Sequence, residues 1–250
     1  MRALIIVFVL LCFGLTVRAQ QSIADTNIRF ISFSAQLGVH QAFADLNERF
    51  GYGGITGGGV MYKTRNNWTL AGNVGFIFGN QVKEDTILKP LLTDQNIIIG
   101  RDGNPADVFL FERGFLISGE VGKIFPVIGP NPNSGLKAAL GLGFMQHKIR
   151  IQDDMETVPQ LAGDYKKGYD RLTFGLMAKQ SFGYLNFSNY KFFNYYVGVA
   201  FYEGFTQHRR TLNFDTGMPD PRQRFDVIGS IEIRWFFPVY KRQPKDFYFY

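Results

Sequence analysis

Histidine and cysteine, which carry much of the nucleophilic and metal chemistry of proteins, are scarce in this sequence of 250 residues. The three histidines are His40, His147 and His208, and the single cysteine is Cys12. Serine-based hydrolysis needs a serine, a histidine and an acidic residue within hydrogen-bond reach, and no serine and acidic residue stand at an evident spacing from a histidine. The sequence therefore predicts a non-enzymatic protein without a catalytic site, a metal site or a cofactor.

Four charged residues form the other group that could do chemistry. Glu120, Lys179, Glu232 and Arg234 each occupy a polar position in a segment where polar and apolar residues alternate. If these segments line the inside of a small barrel, the opposite charges must pair, because burying an unpaired charge is costly. We predict a structural network of salt bridges, with a gate or a proton-linked network as the functional alternative.

Alternating segments provide the strands that would hold these side chains. Their apolar and polar residues alternate with a period of two, as expected for strands with one apolar face. The second segment is rich in glycine and alternates weakly, but it lies between two clear ones. The eight predicted strands cover residues 33–40, 54–64, 68–78, 115–122, 136–144, 172–179, 194–201 and 225–235.

The composition indicates that these strands cross a membrane. Aromatic residues make up 16% of the chain, charged residues make up only 19%, and the mean hydropathy is −0.07. Such values fit a barrel, in which alternate residues face lipid and lumen. No segment after residue 20 has about 18 consecutive apolar residues, so a closed barrel is the remaining way to span a bilayer. The predicted fold class is all-β, an eight-stranded antiparallel transmembrane β-barrel; the alternative is a soluble β-sandwich or lipocalin-like barrel.

The connections alternate between short and long, which gives the barrel an orientation. The short links are 65–67, 126–135 and 184–192, and the longer ones are 44–53, 80–112, 151–167 and 208–222. Outer-membrane barrels have short periplasmic turns and long extracellular loops, so both termini are predicted to be periplasmic. Trp68 and Trp235 would then lie at the periplasmic boundary, within an interfacial girdle of aromatic side chains.

The N-terminal residues are predicted to be removed. Residues 1–19 have a positive start, an apolar run and a signal-peptidase site after Ala19. The apolar run is about 15 residues long, which is short for a transmembrane helix, so an uncleaved anchor is the less favoured alternative. Cys12 would leave with this segment, and the mature barrel over residues 20–238 would contain no cysteine.

The C-terminal residues form a predicted periplasmic tail over 239–250. Pro238 is predicted to end the last strand, and the tail closes on four aromatic residues, Phe247, Tyr248, Phe249 and Tyr250. We expect these four residues to bind a periplasmic partner. A tail that folds back on the aromatic girdle, or that extends an assembly signal, is the alternative.

The longest loop carries apolar residues that also suggest a partner. Ile97, Ile98 and Ile99 precede Asp102-Gly103, a strong hairpin signal, and Phe109 and Phe111 follow it. Such residues are too apolar for a free loop, so they are predicted to pack on the barrel rim or on another protein.

The last two outer loops are charged. The acidic residues Asp153, Asp154, Glu156 and Asp164 could bind Ca²⁺, but their spacing matches no ligand loop, so a solvated loop is favoured. The basic residues of the final loop, Arg209, Arg210, Arg222 and Arg224, could meet the phosphates of lipopolysaccharide. Without residues 1–19, 25 Lys and Arg face 21 Asp and Glu, a difference of +4. This modest charge favours local lipid contact over nucleic-acid binding.

Three motifs carry a resemblance to a known group of proteins. They are the export junction 17–20 (Val-Arg-Ala-Gln), the segment 111–115 (Phe-Glu-Arg-Gly-Phe) and the segment 143–150 (Gly-Phe-Met-Gln-His-Lys-Ile-Arg). With them, the mature chain resembles the small outer-membrane β-barrel proteins of the Bacteroidota. The resemblance implies an accessory subunit of a barrel-assembly or type IX secretion machine, and it supplies no catalytic residue.

The leading hypothesis is therefore a non-enzymatic accessory or scaffold barrel in the outer membrane of a Gram-negative bacterium. Its expected partners are outer-membrane lipid, lipopolysaccharide and other envelope proteins, and not nucleic acid. A narrow channel or transporter and a lipid A-modifying hydrolase are the two alternatives.

Overall fold

Eight antiparallel strands close into a barrel in the computed structural model, which describes residues 26–153, 155, 157–189 and 193–240. Each strand pairs with its neighbour in sequence, and the last strand pairs with the first. The predicted fold class is confirmed, including the glycine-rich second strand. The strands are β1 (Phe30–Ala44), β2 (Tyr52–Lys63), β3 (Trp68–Gly79), β4 (Val108–Phe125), β5 (Gly135–Asp153), β6 (Thr173–Asn186), β7 (Tyr195–His208) and β8 (Gln223–Val239).

Side chains alternate between the lumen and the outer wall along every strand. On β5, for example, Leu140 and Leu142 are exposed on the wall, whereas Ala139 and Met145 are buried inside. Closure leaves no strand edge unpaired, which is the condition for a sheet in hydrocarbon. The weak alternation of β2 has a steric cause: a Cβ on Gly57 would lie 2.1 Å from the carbonyl oxygen of Val74, so only glycine fits the close approach of β3.

The two ends of the barrel differ. The turn end holds the start of β1 and the end of β8, together with the short links after Lys63, Phe125 and Asn186. The loop end holds the connections 45–51, 80–107, 154–172 and 209–222. Short 3₁₀ helices occur in three of these connections, at Asp45–Glu48, Asp85–Leu91, Pro159–Leu161 and Gly163–Gly168. Across the described ranges, no helix is long and apolar enough to cross a membrane.

Most strands extend beyond their predicted limits, and two of these extensions correct the assignment of named residues. The pairing of β4 with β5 continues to Val108 and Asp153, so Phe109 and Phe111 lie in β4 and not in the long loop. The last strand runs through Pro238, which pairs with Ser32, to Val239. Proline is tolerated there because it stands one residue from the end of the strand, where a missing N–H group costs little. The predicted signal peptide, and the tail after Tyr240, lie outside the described residues.

The lumen is filled by successive layers of side chains. Near the turn end, Phe30, Phe187 and Phe236 form an aromatic layer, with Phe187 packed edge-on against both neighbours. A charged layer follows, and beyond it lies an apolar layer of fully or almost fully buried residues, Ile55, Ile77, Leu116, Met145 and Ile228. An eight-stranded barrel is narrow enough for side chains to occupy its interior in this way.

The loop-end connections fold over the mouth of the barrel as a cap. Leu46, Phe50, Ile87, Val158 and Leu161 come from three different connections, and all are buried in one cluster with the upper part of the lumen. Burying these side chains stabilises the cap, by about 1.5–3 kcal/mol for each large aliphatic or aromatic group. The loops are therefore positioned by the same core that fills the barrel.

Candidate functional site

The predicted lumen charges come together in the middle of the barrel. Glu120 on β4 accepts hydrogen bonds from Lys179 Nζ at 2.9 Å and from Lys137 Nζ at 2.8 Å. Arg234 Nη1 lies 3.9 Å from the same carboxylate. All four side chains are buried. Sequence reasoning missed Lys137, although its inward position on β5 follows from the same period-two rule.

A second carboxylate completes this lumen network. Glu232 accepts a hydrogen bond from Arg234 Nη2 at 2.8 Å and another from Ser230 Oγ at 3.1 Å. The Tyr202 hydroxyl also donates to Glu232, and Arg234 Nη1 donates to the side-chain oxygen of Asn73 at 2.8 Å. Every charged group of the lumen network thus has a partner, as the high cost of burying an isolated ion requires.

The lumen network is closed off in both directions along the barrel axis. On β4, Leu116 lies between Glu120 and the loop end, and on β8 Ile228 holds the same position relative to Glu232. Both belong to the apolar layer, while the aromatic layer covers the other side. A buried and paired set of charges between an apolar layer and an aromatic layer can hold the strands in register.

All three histidines lie between the apolar layer and the cap, where they form a second polar layer. His147 Nε2 is 2.9 Å from the Asp226 carboxylate, and the Thr206 hydroxyl donates to that same carboxylate. His40 Nε2 is 3.4 Å from Glu112. The hydroxyl bonds the acid rather than the histidine, and the group is buried, so this set lacks the nucleophile–base contact that a hydrolase needs.

Ion pairs tie the loop-end connections to each other. Arg171 binds Asp215 through both ends of its guanidinium, at 2.9 and 2.6 Å, and binds Glu84 at 2.8 Å. Arg49 adds a 3.1 Å contact with Glu84 and a 2.8 Å hydrogen bond to Thr173. These bonds join all four connections around a polar cavity of about 490 Å³. We call this set the cap ion pairs.

The charges of the cap stabilise one another. Burial lowers the pKa of Arg171, but the hydrogen bonds and charges of Asp215 and Glu84 outweigh this effect, and the net pKa is raised. Hydrogen bonds from the Arg222 side chain lower the pKa of Asp220 to about 2. Both shifts favour the charged forms of Arg171 and Asp220, so the ion pairs of these two residues stabilise the cap.

The structure divides the predicted partner-binding residues of the long loop among different surroundings. The hairpin around Asp102-Gly103 is present, with Ile99 bridged to Pro105 and Gly103 at a φ of +79°. Ile98 is buried in the cap cluster, Ile97 is half-buried and Ile99 is exposed.

The remaining members of that predicted set are not in the loop. Phe109 is exposed on the outer face of β4, and Phe111 lies beneath Arg113, whose guanidinium carbon is 5.1 Å from the ring centre. The tail residues Phe247, Tyr248, Phe249 and Tyr250 lie outside the described residues.

Three of the four arginines that were expected to meet the phosphates of lipopolysaccharide are held in ion pairs. Arg210 pairs with Asp170, Arg222 Nε bonds Asp220 at 3.0 Å, and Arg224 lies 3.2 Å from Glu48. Arg209 differs from them because its guanidinium lies over the Phe174 ring, 4.5 Å from the centre, on the outer wall.

Acidic loop residues show no shared site. Asp153 accepts a hydrogen bond from the Val158 N–H group at 2.8 Å, and Asp164 pairs with Lys167 at 2.6 Å. Asp154 and Glu156 lie outside the described residues. Within the part of the chain that the structure describes, no group of three or more His, Cys, Asp or Glu residues is arranged to hold a metal ion.

Several solved structures, including the following three, are distantly similar to this chain. The attachment invasion locus protein Ail of Yersinia pestis is 8% identical with a TM-score of 0.43, over 84% of this chain and 97% of Ail. Neisserial surface protein A is 10% identical with a TM-score of 0.42, over 82% of this chain and 95% of that protein. Outer membrane protein OprG from Pseudomonas aeruginosa is 11% identical with a TM-score of 0.36, over 87% and 99%. No protein-family model and no curated protein matches this chain.

These likenesses are too distant to carry an argument about activity, so the fold rests on the strand pairing itself. The outer wall is apolar on every strand, with Leu37, Leu70, Ile117, Leu142 and Leu176 among its exposed side chains. An even-numbered, closed antiparallel barrel with such a wall is the structure by which outer-membrane proteins cross the bilayer. The protein is a small β-barrel of the Gram-negative outer membrane.

Proposed function

We propose that this barrel is non-enzymatic and acts as an accessory or scaffold subunit of a protein-assembly or secretion complex in the outer membrane. The observation that carries the proposal is the filled lumen. The charged groups of the lumen network are paired, and the apolar layer separates them from the cap. The surfaces left for function are therefore those that face other molecules, outside the lumen.

The loop end offers a surface suited to a protein partner. Tyr165 and Met218 are 63% and 67% exposed, and Leu212 and Phe214, which belong to the same β7–β8 connection as Met218, are 40% and 42% exposed. The Phe214 N–H group bonds the Gly168 carbonyl at 3.0 Å, which joins this connection to the one that carries Tyr165. We call these four residues the apolar loop patch. Exposed apolar side chains on an ordered support are typical of protein–protein contacts.

The two alternative functions have less support. A channel needs a continuous polar path, and the apolar layer from Ile55 to Ile228 interrupts the lumen. A lipid A-modifying hydrolase needs an accessible nucleophile beside its base, whereas Thr206 is buried and bonded to Asp226. The aromatic tail from Phe247 to Tyr250 remains a proposed second contact, on the periplasmic side.

Affinity purification of the tagged full-length protein from its own envelope in a mild detergent tests the proposal. We expect one or more envelope proteins to co-purify in a fixed ratio. The double variant Y165S/M218S should lose them, because it removes the two most exposed members of the apolar loop patch. The matched control is Q160A/T211A, which changes two exposed polar residues of the same two connections and should retain the partners.

Two results would contradict the proposal. One is a barrel that always purifies alone, including after chemical crosslinking in intact cells. The other is steady ion conductance in planar bilayers that disappears when Arg234 or Glu232 is neutralised, which would establish the channel instead. Loss of partners in both double variants would show that the apolar loop patch is not the contact.

A further inference from the structure

Basic residues gather on the outer wall of the barrel near the loop end. Arg113 on β4 and Lys148 on β5 are direct cross-strand partners, and Arg150 pairs with Phe111 one step further out. The residues between them, Glu112, His147 and Ile149, are buried in the lumen, so the three basic side chains point to the outside. Cations on adjacent strands therefore share one face of the β4–β5 hairpin.

A fourth cation extends this group across the next strands. His147, Thr173 and His208 are aligned across β5, β6 and β7. One residue further toward the loop end, Lys148 and Arg209 stand on either side of Leu172, whose carbonyl accepts a 2.9 Å hydrogen bond from the Arg209 N–H group. We call Arg113, Lys148, Arg150 and Arg209 the outer-wall basic cluster.

The outer-wall basic cluster lies directly above the apolar band that faces lipid. Along β4, Phe115 is the first outward-facing residue below Arg113. Along β5, Phe144 is the second outward-facing residue below Lys148. Below the cations, aromatic rings form a ledge, in which Phe115 packs against Phe76 at 5.3 Å and Phe144 against Phe174 at 5.5 Å. Such a step from aromatic to basic residues marks the height at which lipid headgroups meet acyl chains.

These cations lack the partners that the other basic residues of the loop end have. Within residues 26–153, 155, 157–189 and 193–240, no carboxylate lies in salt-bridge range of Arg113, Lys148, Arg150 or Arg209, whereas Arg171, Arg210, Arg222 and Arg224 all have one. The guanidinium groups of Arg113 and Arg209 instead rest on the rings of Phe111 and Phe174. Arg113 Nη1 also donates to the carbonyl oxygens of Glu112 at 2.6 Å and of Gly79 at 3.4 Å. Stacking on a ring orients a guanidinium while leaving its remaining N–H groups available to an anion.

We propose that the outer-wall basic cluster binds the phosphate groups of a phosphorylated outer-leaflet glycolipid, of the lipid A type, whose acyl chains lie on the aromatic ledge below. The ligand must carry at least two anionic groups, because the four cations are spread over a region four strands wide, from β4 to the end of β7. It must also carry hydrocarbon, because the surface beneath the cations faces the membrane core. This inference is independent of the proposed scaffold role, since it concerns the wall and not the apolar loop patch.

The test is lipid binding by the refolded full-length barrel in detergent, measured by native mass spectrometry. The probes are bisphosphorylated lipid A, the same lipid after phosphatase treatment, and inorganic phosphate as competitor. We expect retention of bisphosphorylated lipid A by the wild-type barrel and weaker binding on the order of tenfold for each cation–phosphate contact removed. The variant R113Q/K148Q/R150Q should therefore lose the lipid.

A matched variant separates this site from general charge attraction. R65Q/K89Q/R101Q also removes three positive charges, from exposed positions elsewhere on the chain, and it should bind lipid A as the wild type does. If the triple cluster variant does not refold, judged by heat-modifiable mobility on gels, the single variants R150Q and R209Q replace it, because both side chains are exposed.

Three outcomes would overturn the inference. Equal binding of dephosphorylated lipid A would show that the acyl chains alone are recognised. Equal weakening in R65Q/K89Q/R101Q would show nonspecific attraction. Displacement of lipid A by millimolar inorganic phosphate would identify a site for a soluble phosphate rather than for a membrane lipid.

Discussion

The lumen network and the outer-wall basic cluster use the same residue types, but they differ in what surrounds them. In the lumen, Glu120 has three cations around it within 3.9 Å. On the wall, Arg113 lies over the ring of Phe111, Arg150 is the cross-strand partner of Phe111, and neither cation has a carboxylate in salt-bridge range within the described part of the chain. The difference indicates that the first group stabilises the barrel itself, whereas the second group is positioned for an external anion. Substitutions in the two regions should therefore have opposite consequences for stability and for binding.

The largest loss of stability is expected from E120Q. This change leaves Lys137, Lys179 and Arg234 around a neutral amide, and leaving buried charges uncompensated costs about 3–5 kcal/mol. We expect a decrease of that size in the free energy of unfolding, measured by urea titration of the refolded barrel in lipid vesicles.

A control within the same network sharpens this expectation. The lumen network has three cations and two carboxylates, so K137M removes the surplus charge and should cost less than half as much as E120Q. D94N, at an exposed loop position, should have no measurable effect. A larger cost for K137M than for E120Q would mean that packing, and not charge, governs the network.

The next largest effect is expected in the cap. R171Q removes the partner of both Asp215 and Glu84, and a charge-assisted hydrogen bond contributes about 1.5–3 kcal/mol. Because these bonds hold loops and not strands, the change should lower the free energy of local opening rather than that of global unfolding. We expect trypsin to cleave the β7–β8 connection about tenfold faster or more, with R101Q as the control that leaves the rate unchanged. Unaltered cleavage would show that apolar packing alone holds the cap.

Acid should open the same cap over a defined range of pH. The pKa of Asp220 falls from 3.8 to about 2 because of its hydrogen bonds with Arg222. A lowered pKa means that the ion pair stabilises the folded cap above about pH 4 and that this contribution is lost as the pH falls toward 2. Pepsin cleavage between residues 209 and 222 should therefore increase between pH 4 and pH 2 in the wild type. In D220N the cleavage should already be high at pH 4.

The sequence identified the lumen network more readily than the wall or the cap, for physical reasons. Period-two alternation places Glu120 and Glu232 on the inner face without knowledge of the strand partners, and the same rule applies to Lys137, which was overlooked. By contrast, the pairing of Arg171 with Asp215 depends on how two connections fold over the barrel mouth. Loop residues have no periodicity from which such a contact could be predicted.

Of the outer-wall basic cluster, only Arg209 was among the residues expected to meet lipopolysaccharide phosphates, because the positions of Arg113, Lys148 and Arg150 depend on strand length. Alternation is clear where outward residues are apolar, and it fades where Arg113 and Lys148 take the outward positions, so β4 and β5 seemed to end before these residues. Only the observed pairing through Val108 and Asp153 shows that the hairpin continues above the apolar band. It was for the same reason that Phe109 and Phe111 were assigned to a loop.

The smallest effect on the barrel alone is expected from R150Q, and its sign should depend on the surroundings. Arg150 has no carboxylate in salt-bridge range within the described part of the chain, so R150Q breaks no ion pair. Arg113 is the diagonal neighbour of Arg150 across the strands, so removing one of these two like charges relieves repulsion. In detergent we expect the free energy of unfolding to change by less than about 0.5 kcal/mol, as for most surface positions. A ligand that binds only the folded state adds stability in proportion to its occupancy, so lipid A should stabilise the wild type more than R150Q. Equal stabilisation of the two proteins by lipid A in the same urea titration would show that Arg150 on the wall takes no part in binding an external anion.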